Sequence, residues 1–175
     1  MKRIVLVTVL ALAVLAGTAA AGTKEFWKGG IYVTPQIGFS SWGGSLPLGV
    51  SGEYGVTENI GVGGSVMGQF WSEEFWKVSL ITIAAEANYH FTKLDADKVD
   101  LYAGAGLGYS VVSVSYNTGY SSGSAAASGL SLYPLVGGRY WFSPKIAASL
   151  KLYGYLVGSY TGFGGAIGVT FVLSK

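Results

Sequence analysis

Ile31-Tyr32-Val33-Thr34-Pro35-Gln36-Ile37-Gly38-Phe39-Ser40 puts an apolar side chain at every odd position, with Tyr32, Thr34, Gln36, Gly38 and Ser40 between them. A period of two is the signature of a strand with one apolar face. The same alternation returns along the chain. Leu46, Leu48, Val50, Tyr54 and Val56 oppose Gly49, Ser51, Glu53 and Gly55, and Ile60, Val62, Val66 and Phe70 oppose Gly61, Gly63, Ser65 and Gln69. A fourth stretch sets Ile81, Ile83, Ala85, Ala87, Tyr89 and Phe91 against Thr82, Ala84, Glu86, Asn88 and His90, after a change of phase near Leu80 and Ile81 that suits a β-bulge.

The second half continues the pattern. Val99 to Val111 alternates with Asp100, Tyr102, Gly104, Gly106, Gly108 and Ser110, and Leu130 to Phe142 alternates with Ser131, Tyr133, Gly137, Arg139 and Trp141. Ile146, Ala148, Leu150 and Leu152 oppose Ala147, Ser149, Lys151 and Tyr153, and Phe163, Ile167, Val169, Phe171 and Leu173 oppose Gly164, Ala166, Gly168 and Thr170. These stretches predict eight strands.

Composition limits what such strands can build. Half of the 175 residues are hydrophobic, only 11% are charged, and the chain holds 28 Gly, five Trp, 12 Tyr and eight Phe. Disorder requires the opposite balance, and soluble domains carry roughly a quarter charged residues. With no Cys, the chain offers no disulfide, thiolate metal site or lipoprotein anchor, and with a single His it offers little for a metal, so neither metal nor cofactor is expected.

Residues 1–21 read as a cleaved signal peptide: Lys2 and Arg3, an apolar core from Ile4 to Ala16, and Ala19-Ala20-Ala21 before Gly22. A mostly apolar core of thirteen residues is too short to cross a bilayer as a helix, which takes about 20. The mature domain, residues 22–175, then carries nine basic and nine acidic residues, a balance that excludes a basic face for nucleic acid. Eight strands in those residues leave enough length for the roughly 9 to 11 residues of a tilted membrane-crossing strand.

The two faces decide which solvent the sheet meets. A soluble carrier would turn its apolar face inward. Here the second face is rich in Gly and Ser with a few charges, which suits a narrow polar lumen, and the apolar face is continuous enough for lipid. The expected fold is all-β, an eight-stranded antiparallel up-and-down transmembrane β-barrel, whose closure removes the edges that lipid cannot hydrogen-bond.

Thr57-Glu58-Asn59, Thr92 to Lys98 and Ser143-Pro144-Lys145 form the short periplasmic turns of this reading, and the connections near Ser41 to Ser45, Ser72 to Glu74, Asn117 to Ser128 and Gly158 to Thr161 face outward. Aromatics gather at the expected strand ends. Phe26, Trp27, Tyr89, Phe91, Tyr140, Trp141 and Phe142 form one interfacial girdle, and Phe39, Trp42, Phe70, Trp71, Phe75, Trp76, Tyr155 and Tyr160 the other.

With these features the mature chain resembles the small eight-stranded outer-membrane barrels of Gram-negative bacteria, the OmpA and OmpX-like group. The resemblance implies residence in the cell outer membrane, lipid and lipopolysaccharide as neighbours, a monomer, and insertion by the barrel-assembly machinery through a terminal-strand signal at Gly168, Phe171 and Leu173. Ala166 and the final Ser174-Lys175 depart from that signal, which favours a polar residue and a terminal aromatic. A peptidoglycan-binding domain is not expected after the barrel.

Glu53, Glu86, Arg139 and Lys151 fall on the inward face. Charges in a narrow interior must be paired, because an unpaired one costs several kcal/mol. They make either a salt-bridge plug or, as the resemblance implies, a gate in which the two acids compete for the two bases. His90 is read as an interfacial or turn-facing residue, Glu73 and Glu74 as a solvated loop tip, and Gly104-Ala105-Gly106-Leu107-Gly108 as strand, since no helix follows it to make a dinucleotide loop. No enzyme activity is expected. The expected role is structural and membrane-stabilising, with at most a small gated ion pore. Adhesion through outer loops and transport of a small apolar solute are the alternatives, the latter requiring a lateral opening or a widened, apolar lumen, which the inward face does not supply.

Overall fold

The computed structural model describes residues 26–41, 45–92, 98–155, 157–158 and 162–174. The expected signal peptide, Trp42, Tyr160 and most of the Thr92 to Lys98 and Gly158 to Thr161 connections lie outside these residues.

Eight antiparallel strands close on themselves. In chain order they are β1 Ile31–Ser40, β2 Leu48–Gly55, β3 Ile60–Glu73, β4 Trp76–His90, β5 Val99–Asn117, β6 Ser122–Ser143, β7 Ile146–Tyr155 and β8 Gly162–Ser174. Each pairs with its sequence neighbour, and β1 pairs with β8 between Ile31↔Ser174 and Ser40↔Gly164, which closes the sheet; among the described residues the ends of β3 beyond Gly68 and of β6 before Ser131 are paired on one side alone. A short continuation after β7, Val157–Gly158, pairs with β6 at Leu132 and Ser131. Both described termini and the turns at residues 57–59 and 143–145 lie at one end, called here the terminal end. Hydroxyls shape these turns: Thr57 Oγ1 accepts from the amides of Asn59 and Ile60, and Ser143 Oγ accepts from Lys145 N.

Alternation resolves the two faces as the apolar pattern requires. Val62, Ile83, Leu107, Leu132, Leu152 and Ile167 are exposed on the outside, and Gln36, Glu53, Ser65, Glu86, Asn88, Ser110 and Thr170 are buried inside. The lumen is the core of this protein.

The strands differ in length. β1, β2 and β7 have 10, eight and 10 residues, near the crossing requirement, but β5 has 19 and β6 has 22, roughly ten more than a tilted crossing takes. The surplus of β3, β4, β5 and β6 stands above the opposite rim as a curved wall. On this wall the polarity inverts. Below the rim the outward residues are apolar, whereas above it they are Ser72, Lys77, Ser113, Ser115 and Ser124, and the concave side carries Val78, Leu80, Val112, Val114, Ala125 and Ala127.

This inversion corrects two expectations. No bulge occurs near Leu80: β4 keeps one register against β3 from Tyr89 to Trp76 and against β5 from His90 to Trp76. Leu80 is buried on the inward face, and the apolar phase changes there because the apolar side chains pass from the outward to the inward face of β4, where Ser79 and Lys77 take the outward positions. Nor is Asn117 to Ser128 a loop, since Ser122 to Ser128 pairs with Asn117 to Val111 and leaves only a tight turn. Gly119, at φ +82°, makes that turn, its amide donating to Asn117 Oδ1.

Candidate functional site

The inward positions stack into layers along the barrel axis. At the terminal end Phe26, Tyr32, Trp141 and Ala147 form a buried apolar floor, with Trp27 packed against it. Phe26, ahead of β1, lies flat on the His90 ring at 3.6 Å between centroids and 6° between planes.

The first charged layer sits on this floor. Arg139 of β6 donates from Nη2 to Glu53 Oε2 and from Nη1 to Asp100 Oδ2, the latter at 3.3 Å. Its guanidinium also lies over the rings of Tyr32 and Tyr102, 5.1 and 5.2 Å from their centroids. His90 Nδ1 is 2.7 Å from Asp100 Oδ1 and Nε2 is 3.1 Å from Glu53 Oε1, and Asn88 Nδ2 donates to the same Glu53 oxygen at 2.7 Å. The neighbouring strand makes room with Gly61, where a Cβ would overlap the Glu53 carboxylate.

The second charged layer lies farther from the terminal end. Lys151 Nζ donates to both Glu86 oxygens at 2.8 and 3.0 Å, and the hydroxyls of Tyr133 and Ser65 donate to Glu86 Oε1 at 2.9 and 3.0 Å. Tyr133 lies across Gly106, where a Cβ would overlap its ring. Beyond this layer come Thr82 with Ser110 at 2.8 Å and Gln36, whose Nε2 donates to Met67 Sδ.

Two small cavities flank the Glu86–Lys151 pair. One, of about 20 Å³, lies between the charged layers; the other, of about 40 Å³, lies on the outer side and is lined by Leu80, Tyr133 and Tyr153. Such volumes hold one to a few waters. Glu86 and Lys151 line both, as does Gln36, so together they form the partition between them.

All four charges named from the sequence therefore face the lumen, as two separate pairs on different levels. Asp100 and His90 complete the first layer. Asp100 sits on the inward phase of its own strand, a signal legible in the alternation, and His90, fully buried, is a lumen residue and not an interfacial or turn-facing one.

The aromatic assignments need correction as well. Trp141 and Phe26 are buried in the floor, where their inward register and the narrow lumen hold them, and Trp27 packs beside them. Tyr155 packs on Tyr133 inside the barrel, with centroids 5.1 Å apart. Trp71 is half-buried on the inward phase, and Trp76, 51% exposed, packs at a tilt against Tyr116 on the concave side of the wall, with centroids 5.3 Å apart. Tyr140 does face outward at the terminal end, paired edge-on with Phe142, as do Tyr89 and Phe91. Phe171 and Leu173 face outward near the end of β8, and Gly168 lies against β1, where a Cβ would overlap the Pro35 carbonyl.

A closed sheet with an apolar exterior and a hydrogen-bonded polar interior defines a membrane-spanning barrel. The chain belongs to the outer membrane protein beta-barrel domain family, whose model matches residues 8–175. No curated protein matches it. Among solved structures it is similar to the N-terminal β-barrel domain of OprF from Pseudomonas aeruginosa, at 17% identity and TM-score 0.57 over 83% of this chain and 98% of that one. Ail, the attachment invasion locus protein of Yersinia pestis, gives the same values. The outer membrane protein OprG from Pseudomonas aeruginosa gives TM-score 0.62 at 8% identity over 87% of this chain and 99% of that one. At these identities the likeness is one of fold.

Proposed function

We propose that this outer-membrane barrel is chiefly structural, a monomer held by lipid and lipopolysaccharide, with its terminal end toward the periplasm and its lumen plugged. The observation that carries this reading is the pair of small cavities divided by Glu86 and Lys151 and floored by Phe26, Tyr32 and Trp141. Each interior carboxylate has a cationic partner, which fits a plug that specifies register. Gly168, Phe171 and Leu173 would then present the terminal strand to the assembly machinery. We assign no catalysis: both His90 nitrogens are engaged by carboxylates, which leaves neither to activate a hydroxyl.

The same partition allows a minor ion path. Breaking Glu86–Lys151 joins the two cavities and frees an ammonium in the lumen. Single-channel recording of the full chain in planar bilayers tests this, with Glu86→Gln expected to open more often than the parent protein. An unchanged trace would reduce the charges to a plug.

A further inference from the structure

The wall of the barrel is interrupted at Pro134, as it is at Pro35, where the β1–β8 register skips Thr34 and Pro35. Trp141 N donates to Lys98 O on the β5 side of β6, and the β5–β6 register runs unbroken from Val99↔Tyr140 to Asn117↔Ser122. Successive residues of an antiparallel strand turn their N–H groups to opposite sides. Pro134 therefore has its nitrogen turned toward β7, and that nitrogen carries no hydrogen. The β6–β7 register stops one step earlier, at Leu135↔Tyr153, and pairing resumes at Leu132↔Val157, so among the described residues Pro134 and Gly154 have no partner across this seam, although Pro134 stays paired with Ala105 of β5. β7 nevertheless stays bound to β8 through Gly154↔Phe163 and Tyr155↔Gly162.

Both sides of this interruption are apolar. Outside lies a groove of about 530 Å³ lined by Phe39, Pro134, Val136, Leu152 and Phe163, and Tyr153 reaches it from the lumen side. Space is open where a Cβ of Gly154 would stand. Inside, Tyr153 packs against Tyr133 and Tyr155 with centroids 5.8 and 5.5 Å apart, and all three line the 40 Å³ cavity. One layer of tyrosine rings thus separates the lumen from the lipid. Toward the outer mouth that cavity is bordered by Met67 and Leu80, which continue into Val78, Val112 and Val114 on the concave wall. On the other side the Glu86–Lys151 pair blocks further passage.

We propose that the β6–β7 seam at Pro134 is a lateral portal, through which a small uncharged aromatic molecule passes from the outer mouth into the bilayer with Tyr153 as the moving partition. Edge-to-face contact with the three tyrosines favours a flat ring, and the ion pair below turns it sideways. The route leaves the lumen above Glu86, so it operates whether or not the lumen conducts ions.

Uptake of N-phenyl-1-naphthylamine, an uncharged aromatic probe that fluoresces in lipid, tests the portal in intact Gram-negative cells carrying the full chain. Cells with the protein are expected to take up the probe faster than cells without it, with entry of a polar saccharide unchanged. Pro134→Val supplies the missing N–H and is expected to bring uptake down to the level of cells lacking the protein. Tyr153→Ala removes the partition and is expected to raise uptake above the parent rate, which decides the matter should Pro134→Val fail to fold. Equal uptake with and without the protein, parent-like uptake by a folded Pro134→Val or by Tyr153→Ala, or an equal rise for the saccharide would each overturn the proposal.

Discussion

Arg139 concentrates the physics of the lumen in one side chain. It is 6% exposed, meets the carboxylates of Glu53 and Asp100, and lies over two tyrosine rings. Removing one member of a buried ion pair strands the other and costs about 3–5 kcal/mol. Arg139→Met should therefore lower the stability of the folded barrel by about that amount in urea titrations in lipid. Adding Glu53→Gln should recover part of the loss, because contacting residues couple by about 0.5–3 kcal/mol. Additive losses would show that the two do not act as a pair. The inward phase of Glu53, Glu86, Arg139 and Lys151 was legible in the alternation, but which acid meets which base was not, since partners on β2 and β6 meet across the lumen and not along the sheet. The placement of Phe26 was hidden for another reason: it precedes the first strand and has no alternation to read.

At the scale of the strand, the informative feature is that one face changes solvent. β5 turns Leu107, Tyr109 and Val111 outward, then Ser113 and Ser115 on the same face. Leu107, 54% exposed, sits mid-barrel opposite Ala85 and Leu132. A charge there faces hydrocarbon and should cost about 2–4 kcal/mol as Leu107→Arg. Ser113→Lys, six residues on, meets water and should stay within about 0.5 kcal/mol. Unfolding titrations of the two variants in lipid measure the difference, and equal costs would place the boundary elsewhere. Alternation revealed the strands wherever one face met one solvent throughout. It misled at Leu80, where the change of apolar face imitated a bulge, and from Ser122 to Ser128, where Ser, Gly and Ala on both faces imitated a loop.

For the whole molecule, closure is what makes the remaining claims coherent. Pairing of β1 with β8 closes the sheet, the apolar exterior meets lipid, and the glycine-rich interior admits the charged layers between a floor of aromatics and the outer cavity. A closed sheet of this kind resists SDS until it is heated, because its ladder hydrogen bonds must be broken together. The direct test is electrophoresis of isolated outer membranes with and without boiling. The protein is predicted to fractionate with the outer membrane and to change mobility on boiling, as a folded barrel opens into an extended chain. Identical mobility in both samples, together with recovery in the soluble periplasm, would contradict the account and make the apolar face the inside of a secreted carrier.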